Sequence, residues 1–323
     1  MSKIIEAVNL TKKYGDLSAV DNITFHVKKG EFFGFLGPNG AGKTTTINML
    51  VGMAKTSHGK IIYNGEDLTT NIKKAQKLFG IVADESNLYD EMSGFDNLCF
   101  CGSLYGLSKK AREGKSAALL KMFGLSEAAN KKFKAYSKGM KRKLTIAAAM
   151  IHDPEILFMD EPTTGIDVAS VRQIRNMIKD LHKNGTTIFL TTHYIEEAER
   201  LSERVAFINT GQIIKTDTVA NLIEETRERN VIEVLFEDNS LKKEHLLQKL
   251  NKQFDDIECI LKNDTTIRIT SRNKIDIAPI VNCISLEDFF ITEAKLVKPT
   301  LEDAFVKITG IEVDMMKKEK EKK

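Results

Sequence analysis

The sequence predicts an α/β core built on a parallel sheet, with a small antiparallel β layer and an inserted helical subdomain, followed by a smaller α+β domain of ferredoxin-like order. Three observations predict it. A glycine-rich turn, G-P-N-G-A-G-K-T-T, stands between the apolar run Glu31–Leu36 and the helix-like run Thr45–Gly52. From residue 45 to 225 apolar strand-length runs are interleaved with helices, the pattern of a sheet covered on both faces. Beyond Glu224–Asn230 the order becomes βαββαβ, which is ferredoxin-like.

Taken in order, Ile4–Leu10, Ala19–Val27 and Glu31–Leu36 are apolar runs separated by turns at Lys12–Asp16 and Lys28–Gly30. All three are expected as strands of the antiparallel layer. Strands follow near Lys60–Tyr63 and Phe79–Ala83, then helices from Phe95 to about Met150 form the helical subdomain, about 88–150. Ile156–Met159, Thr186–Thr191 and Arg204–Asn209 read as strands, with helices at Ala169–Asn184 and Glu196–Ser202 between them. Residues 1–225 make the first domain. In the second, 230–310, strands are expected at Val231–Phe236, Ile257–Leu261, Thr265–Thr270 and Phe289–Val297, and helices at Leu241–Phe254, Ile275–Ser285 and Thr300–Ile308. Residues 311–323, ending K-K-E-K-E-K-K, are expected as a charged, disordered tail.

Composition narrows the function classes. The chain has 323 residues, 42% hydrophobic and 29% charged, ordinary for a globular protein. No apolar stretch approaches the ~20 residues that span a bilayer, and M-S-K-I-I-E-A lacks the apolar core of a secretory signal. A cytosolic protein is expected, with any membrane role exercised through a partner. Cys99, Cys101, Cys259 and Cys283 have no metal-ligand spacing and are expected to be reduced. The net charge of +3 makes no case for nucleic acid, although the basic residues from Lys109 to Lys143 face only Glu113 and Glu127 in that span. That run fits a solvated helical face, and it also leaves lipid headgroups or nucleotide phosphates open.

The chemistry starts at the turn. A strand feeding a glycine-rich turn and then a helix aims backbone N–H groups and the positive helix end at one anion. Gly37, Gly40 and Gly42 let the backbone wrap phosphates, Lys43 neutralises their charge, and Thr44 offers Mg²⁺ a hydroxyl. Pro38, Asn39, Ala41 and Thr45 complete the loop, so a nucleoside triphosphate is expected. Downstream, the apolar strand Ile156–Met159 ends in Asp160 and Glu161 at the carboxyl edge of the sheet. Phosphoryl transfer needs one carboxylate for Mg²⁺, for which Asp160 fits, and another to activate water, for which Glu161 fits. Between these elements, Tyr136-Ser137-Lys138-Gly139-Met140 precedes a helix. Ser137 and Gly139 can present a hydroxyl and amides to a phosphate, or simply cap that helix.

Together these residues resemble the ATP-binding subunits of ABC (ATP-binding cassette) transporters, and the match covers residues 3–222. The resemblance implies a P-loop NTPase core. Gly37–Thr44 then corresponds to the Walker A loop, Asp160 and Glu161 to the Walker B pair, and Gly165-Ile166-Asp167 to the D-loop. Tyr14 corresponds to the aromatic that stacks on adenine, with a plain strand-end residue as the alternative. His193 corresponds to the switch histidine that senses the γ-phosphate, with a core histidine as the alternative. Ser137, Lys138, Gly139 and Met140 resemble the signature that closes the partner's nucleotide, although the family usually reads L-S-G-G-Q, so Lys138 and Met140 depart from it. Asp84 stands where the family commonly has glutamine, and a carboxylate there could still reach Mg²⁺ or water.

The resemblance further implies ATP and Mg²⁺ as cofactors and a homodimer with a second copy of the chain. It implies a separate polytopic permease, no nucleic acid, and a peripheral place on the cytoplasmic face of the membrane. Leu88–Leu98 resembles the stretch that contacts the permease. Lys298–Phe305, K-P-T-L-E-D-A-F, is similar to the extension of the drug-resistance and sodium-export branch, which favours export; it would also start a helix in any protein. The competing class is a soluble cassette ATPase acting on ribosomes or DNA. Those relatives carry two cassettes or a long coiled coil, and this sequence has neither.

Overall fold

A computed structural model of the chain describes residues 2–86, 88–226, 230–237, 243–254 and 256–311. The tail expected at 311–323 therefore lies outside the described residues from 312 onward, as do residues 241–242 of the helix expected from Leu241. The chain divides into two compact units, one holding Met1–Val219 together with Ile308–Lys323 and the other Ala220–Lys307.

In the first unit the elements run β1 (Lys3–Tyr14), β2 (Leu17–Lys28), β3 (Phe32–Leu36), α1 (Lys43–Leu50), β4 (His58–Tyr63), β5 (Glu66–Asp67), β6 (Phe79–Val82), α2 (Gly94–Leu104), α3 (Lys109–Met122), α4 (Lys138–Ala149), β7 (Ile156–Asp160), α5 (Val168–Lys183), β8 (Thr187–Thr192), α6 (Ile195–Leu201), β9 (Arg204–Asn209) and β10 (Gln212–Thr218). The antiparallel layer has the order β2-β1-β4-β5, and the central sheet the order β10-β9-β3-β8-β7-β6. In that sheet β3, β6, β7, β8 and β9 pair in parallel and β10 is an antiparallel edge.

The expectation that Glu31–Leu36 joins the antiparallel layer is wrong. Those residues form β3 in the middle of the central sheet, between β9 and β8. Every residue of β3 is buried, whereas β1 and β2 mix buried and open positions along their length. A strand covered on both faces belongs in a parallel sheet, not in a half-solvated layer.

The pleat sorts side chains into two cores. Phe33, Phe35, Ile156, Phe158 and Phe189 pack with α1 and the antiparallel layer. Their strand neighbours Phe32, Leu157, Met159, Ile188 and Leu190 pack on the other face with Leu98, Leu120, Phe123, Phe133 and Leu144 of the helical region. The helical region thus shares one core with the sheet. Its basic run draws acids from outside: Lys132 and Lys134 reach Glu91 at 2.9 and 2.7 Å, and Lys141 reaches Asp90 at 3.5 Å.

The second unit runs α7 (Val219–Glu225), β11 (Asn230–Phe236), α8 (Lys243–Gln253), β12 (Ile257–Asn263), β13 (Thr266–Ser271), α9 (Ile277–Ser285), β14 (Ile291–Val297) and α10 (Leu301–Thr309). Its sheet has the order β12-β13-β11-β14 with every pair antiparallel, the ferredoxin-like arrangement expected from the sequence. Ile232, Val234, Ile267 and Ile269 pack under α8 and α9 with Leu246, Leu250 and Ile284. Thr300 and Asp303 cap α10 reciprocally: Thr300 Oγ1 accepts from the Asp303 amide at 3.2 Å, and Asp303 Oδ2 accepts from the Thr300 amide at 2.7 Å. Among the described residues no helix is long and apolar enough to cross a membrane.

Candidate nucleotide site

Three neighbouring strands deliver the site. The turn after β3 becomes the glycine loop, β7 ends in Asp160 and Glu161, and β8 runs into His193. Main-chain bonds fix the strand ends to one another, since the Glu161 amide donates to Thr191 O at 3.0 Å.

The loop is tight for a steric reason. Gly42 caps α1 with φ +102°, and a Cβ there would lie 2.6 Å from Ala19 O. Only glycine meets both demands, so the α1 amides can approach a ligand closely. Lys43 is buried, and its Nζ donates to Gly37 O at 2.8 Å and to Pro38 O at 3.0 Å. These carbonyls hold the ammonium across the mouth of its own loop, 3.5 Å from Glu161 Oε1.

Asp160 is buried and accepts from two hydroxyls, from Thr44 at 2.7 Å on Oδ2 and from Thr191 on Oδ1. Glu161 adopts a left-handed backbone, φ +45°, which is uncommon for a residue with a Cβ and recurs at functional sites. Thr164 Oγ1 donates to Glu161 Oε2 at 3.0 Å, and His193 Nδ1 lies 2.9 Å from that oxygen, within ion-pair range. Burial pushes the Glu161 carboxyl up. His193, Lys43 and Thr164 outweigh it and hold the group at about 2, so it is ionised at neutral pH.

The donor set fits a triphosphate with magnesium. Thr44 and Asp160 supply two oxygen ligands, and Mg²⁺ commonly takes one or two from protein and the rest from phosphate and water. Among the described residues no cluster of three or more His, Cys, Asp or Glu could hold a metal ion alone.

The remaining expected residues lie on other elements. Tyr14 ends β1 as a residue 53% exposed, with Lys12 Nζ 4.6 Å from its ring centroid. Ser137 caps α4, accepting from the Met140 amide at 3.2 Å, and Lys138 is exposed. Gly139 is pressed against α5, where a Cβ would meet Ser170 Oγ at 2.3 Å. Asp167 caps α5 by accepting from the Ser170 amide at 2.9 Å, which lowers its carboxyl below the usual range. Asp84 turns to Arg142 of α4: its carbonyl accepts from the guanidinium at 2.6 Å, and its half-exposed carboxylate stands 3.7 Å away. Arg142 also donates to Ala83 O, so α4 holds the Asp84 segment by its backbone. Sequence reasoning missed Arg142, Thr164 and Thr191, because each acts through a contact far away in the chain or in a loop.

A parallel sheet whose strand ends gather a glycine loop, its lysine, a helix start and a carboxylate pair defines a P-loop nucleotide-binding protein. A family model described as ABC transporter matches residues 20–164. The linearmycin resistance ATP-binding protein LnrL of Bacillus subtilis (strain 168) is 42% identical over 219 residues, 68% of this chain and 70% of that protein. The Nod factor export ATP-binding protein I of Paraburkholderia xenovorans (strain LB400) is 34% identical over 290 residues, 89% of this chain and 95% of that protein. Among solved structures, the dimeric post-hydrolysis state of the ATP-binding cassette MJ0796 bound to ADP and Pi superposes with a TM-score of 0.61 at 25% identity, covering 67% of this chain and 98% of that one. The chain belongs to the ATP-binding subunits of ABC transporters, whose ATP hydrolysis drives transport.

Proposed function

We propose that this chain is the motor of an exporter, working as a pair of identical copies beneath a separate permease. The observation that carries the reading is the meeting of Lys43, Thr44, Asp160, Glu161 and His193 at the ends of β3, β7 and β8. The export direction rests on the relatives named for linearmycin resistance and Nod factor export.

Magnesium, when bound, neutralises charge on the β and γ phosphates. Thr44 and Asp160 would hold it, and the loop amides and Lys43 would take the phosphate oxygens. Glu161 accepts the proton of the attacking water as the bond from the γ-phosphorus to its bridging oxygen breaks and ADP leaves. Once Lys43 turns to the phosphates, Glu161 loses one of the charges that hold it low and becomes a better base. His193 reaches the γ-phosphate, and Tyr14 offers its ring to adenine. Asp167 and the run Ser137, Lys138, Gly139 and Met140 face the second copy, the latter closing its nucleotide. Asp84 acts through Arg142. The permease docks on a largely apolar cavity of 420 Å³ lined by Met53, Leu88, Tyr89, Phe100, Leu104 and Tyr105, of which Leu88 and Tyr89 belong to the stretch Leu88–Leu98 that the resemblance marks.

Glu161→Gln tests the reading. The variant is expected to bind magnesium ATP, dimerise in gel filtration and lose about a hundredfold or more of its phosphate release. Full turnover would overturn the assignment of the base.

A further inference from the structure

Glu197 is fully buried, although it sits in the charged helix I-E-E-A-E-R-L. Its neighbours Glu196 and Arg200 pair with each other at the surface, 2.6 Å apart. Glu197 points inward instead. Its Oε1 accepts from Thr163 Oγ1 at 2.8 Å and its Oε2 from Thr192 Oγ1 at 3.0 Å. The cation beside it is Arg175 of α5, with Nε 3.5 Å from Oε1. A buried carboxylate held mainly by two hydroxyls adds little to stability over an apolar residue, so stability alone is a poor account of it.

Its partners are one residue away from the chemistry on both sides. Thr192 precedes His193, and its hydroxyl also accepts from the Tyr194 amide at 3.0 Å, so the bonds bracket the histidine. Thr163 precedes Thr164, which donates to Glu161. Three hydrogen bonds, two steps along the chain and the 2.9 Å approach of His193 to Glu161 close a ring from Glu161 through Thr164 and Thr163 to Glu197, then through Thr192 and His193 back to Glu161. Arg175 connects that ring to the helix that begins at Asp167.

We propose that Glu197 is a positioning residue for hydrolysis: by gripping Thr163 with one oxygen and Thr192 with the other, it sets the separation of Glu161 and His193. The inference rests on the reading that Glu161 and His193 carry the reaction. A displacement of either group by about 1 Å costs on the order of a hundredfold in rate while leaving nucleotide contacts intact.

The test is steady-state magnesium ATP hydrolysis by the full chain carrying Glu197→Gln, Thr192→Val, His193→Ala and the doubles with His193→Ala, beside Glu161→Gln as the reference. The amide cannot accept from both hydroxyls with full charge, so kcat is expected to fall about tenfold or more with KM for ATP within about threefold. The Glu197→Gln/His193→Ala double is expected to turn over no slower than His193→Ala alone, because without the imidazole there is no Glu161–His193 separation left for the carboxylate to set. Thr192→Val repeats both results should Glu197→Gln fail to fold. Wild-type kcat in Glu197→Gln and Thr192→Val, or losses that multiply with His193→Ala as a general structural defect would, overturns the proposal. Full activity in Glu161→Gln would instead bring down the site reading, and the proposal with it.

Discussion

Gly139→Ala probes the packing of α4 against α5. A Cβ at residue 139 would lie 2.3 Å from Ser170 Oγ, 2.7 Å from Ser170 Cβ and 3.8 Å from Asp167 Oδ2. The hydroxyl can rotate away, but the Ser170 Cβ is fixed to the backbone of α5. Restoring ordinary carbon contact, about 3.5–4.0 Å, parts α4 from α5 by about 1 Å. Overpacking of this kind costs about 1–3 kcal/mol, and each kcal/mol lowers Tm by roughly 2–4 °C in a unit of this size. The shift also pulls on the Ser170 amide, which donates to the capping carboxylate of Asp167. Thermal melts followed by circular dichroism of Gly139→Ala, Ser170→Gly and the double variant decide the matter. The double is expected to recover most of the lost Tm, because Ser170→Gly removes both clashing atoms. A Gly139→Ala melt that overlays wild type, or a double that regains nothing, refutes the packing argument.

Arg142→Ala strips the donor from the Ala83 and Asp84 carbonyls and is expected to cost about 1–3 kcal/mol in urea unfolding. Asp84→Asn keeps the carbonyl contact and weakens only the longer 3.7 Å approach of a half-exposed carboxylate to buried Arg142, so it is expected to cost under about 1 kcal/mol; equal losses would mean that the carboxylate, not the backbone, carries the contact. Glu161 lies at about 2 in the fold against an ordinary 4.5, so its ionisation stabilises the fold fully above 4.5 and ceases to as pH falls through about 2. The stability lead of wild type over Glu161→Gln is accordingly expected to close across that interval, and a lead independent of pH would contradict the charges assigned to the site. Burial and Cys283 push the Cys259 thiol up to about 12, so iodoacetamide at about pH 8 is expected to spare Cys259 in folded protein and modify it after denaturation, as read by mass spectrometry.

Much of this architecture was legible where local pattern and chemistry agree. The glycine turn between strand and helix announced the loop, and Ile156–Met159 announced the strand that presents Asp160 and Glu161. β3 was found as a strand but placed in the wrong sheet, because sheet membership is decided by pairing with β8 and β9, more than a hundred residues away in the chain. Its uninterrupted apolar run was the available signal. β10 was missed because Gln212–Thr218 is an edge strand with half-exposed, largely polar residues. Glu197 was hidden among Glu196, Glu199 and Arg200, where one inward acid cannot be told from outward ones by spacing. Asp84 could be flagged as a departure, but its partner Arg142 became visible only once α4 lay beside β6.

The loop of Lys43, the Asp160/Glu161 pair and His193 leave the sheet from β3, β7 and β8, with β8 between the other two. Adjacent strands are held about 4.8 Å apart by their amide–carbonyl ladder. The molecule therefore carries a ruler whose graduations are peptide bonds, and its strands set the coarse spacing of these groups before any side chain adjusts it.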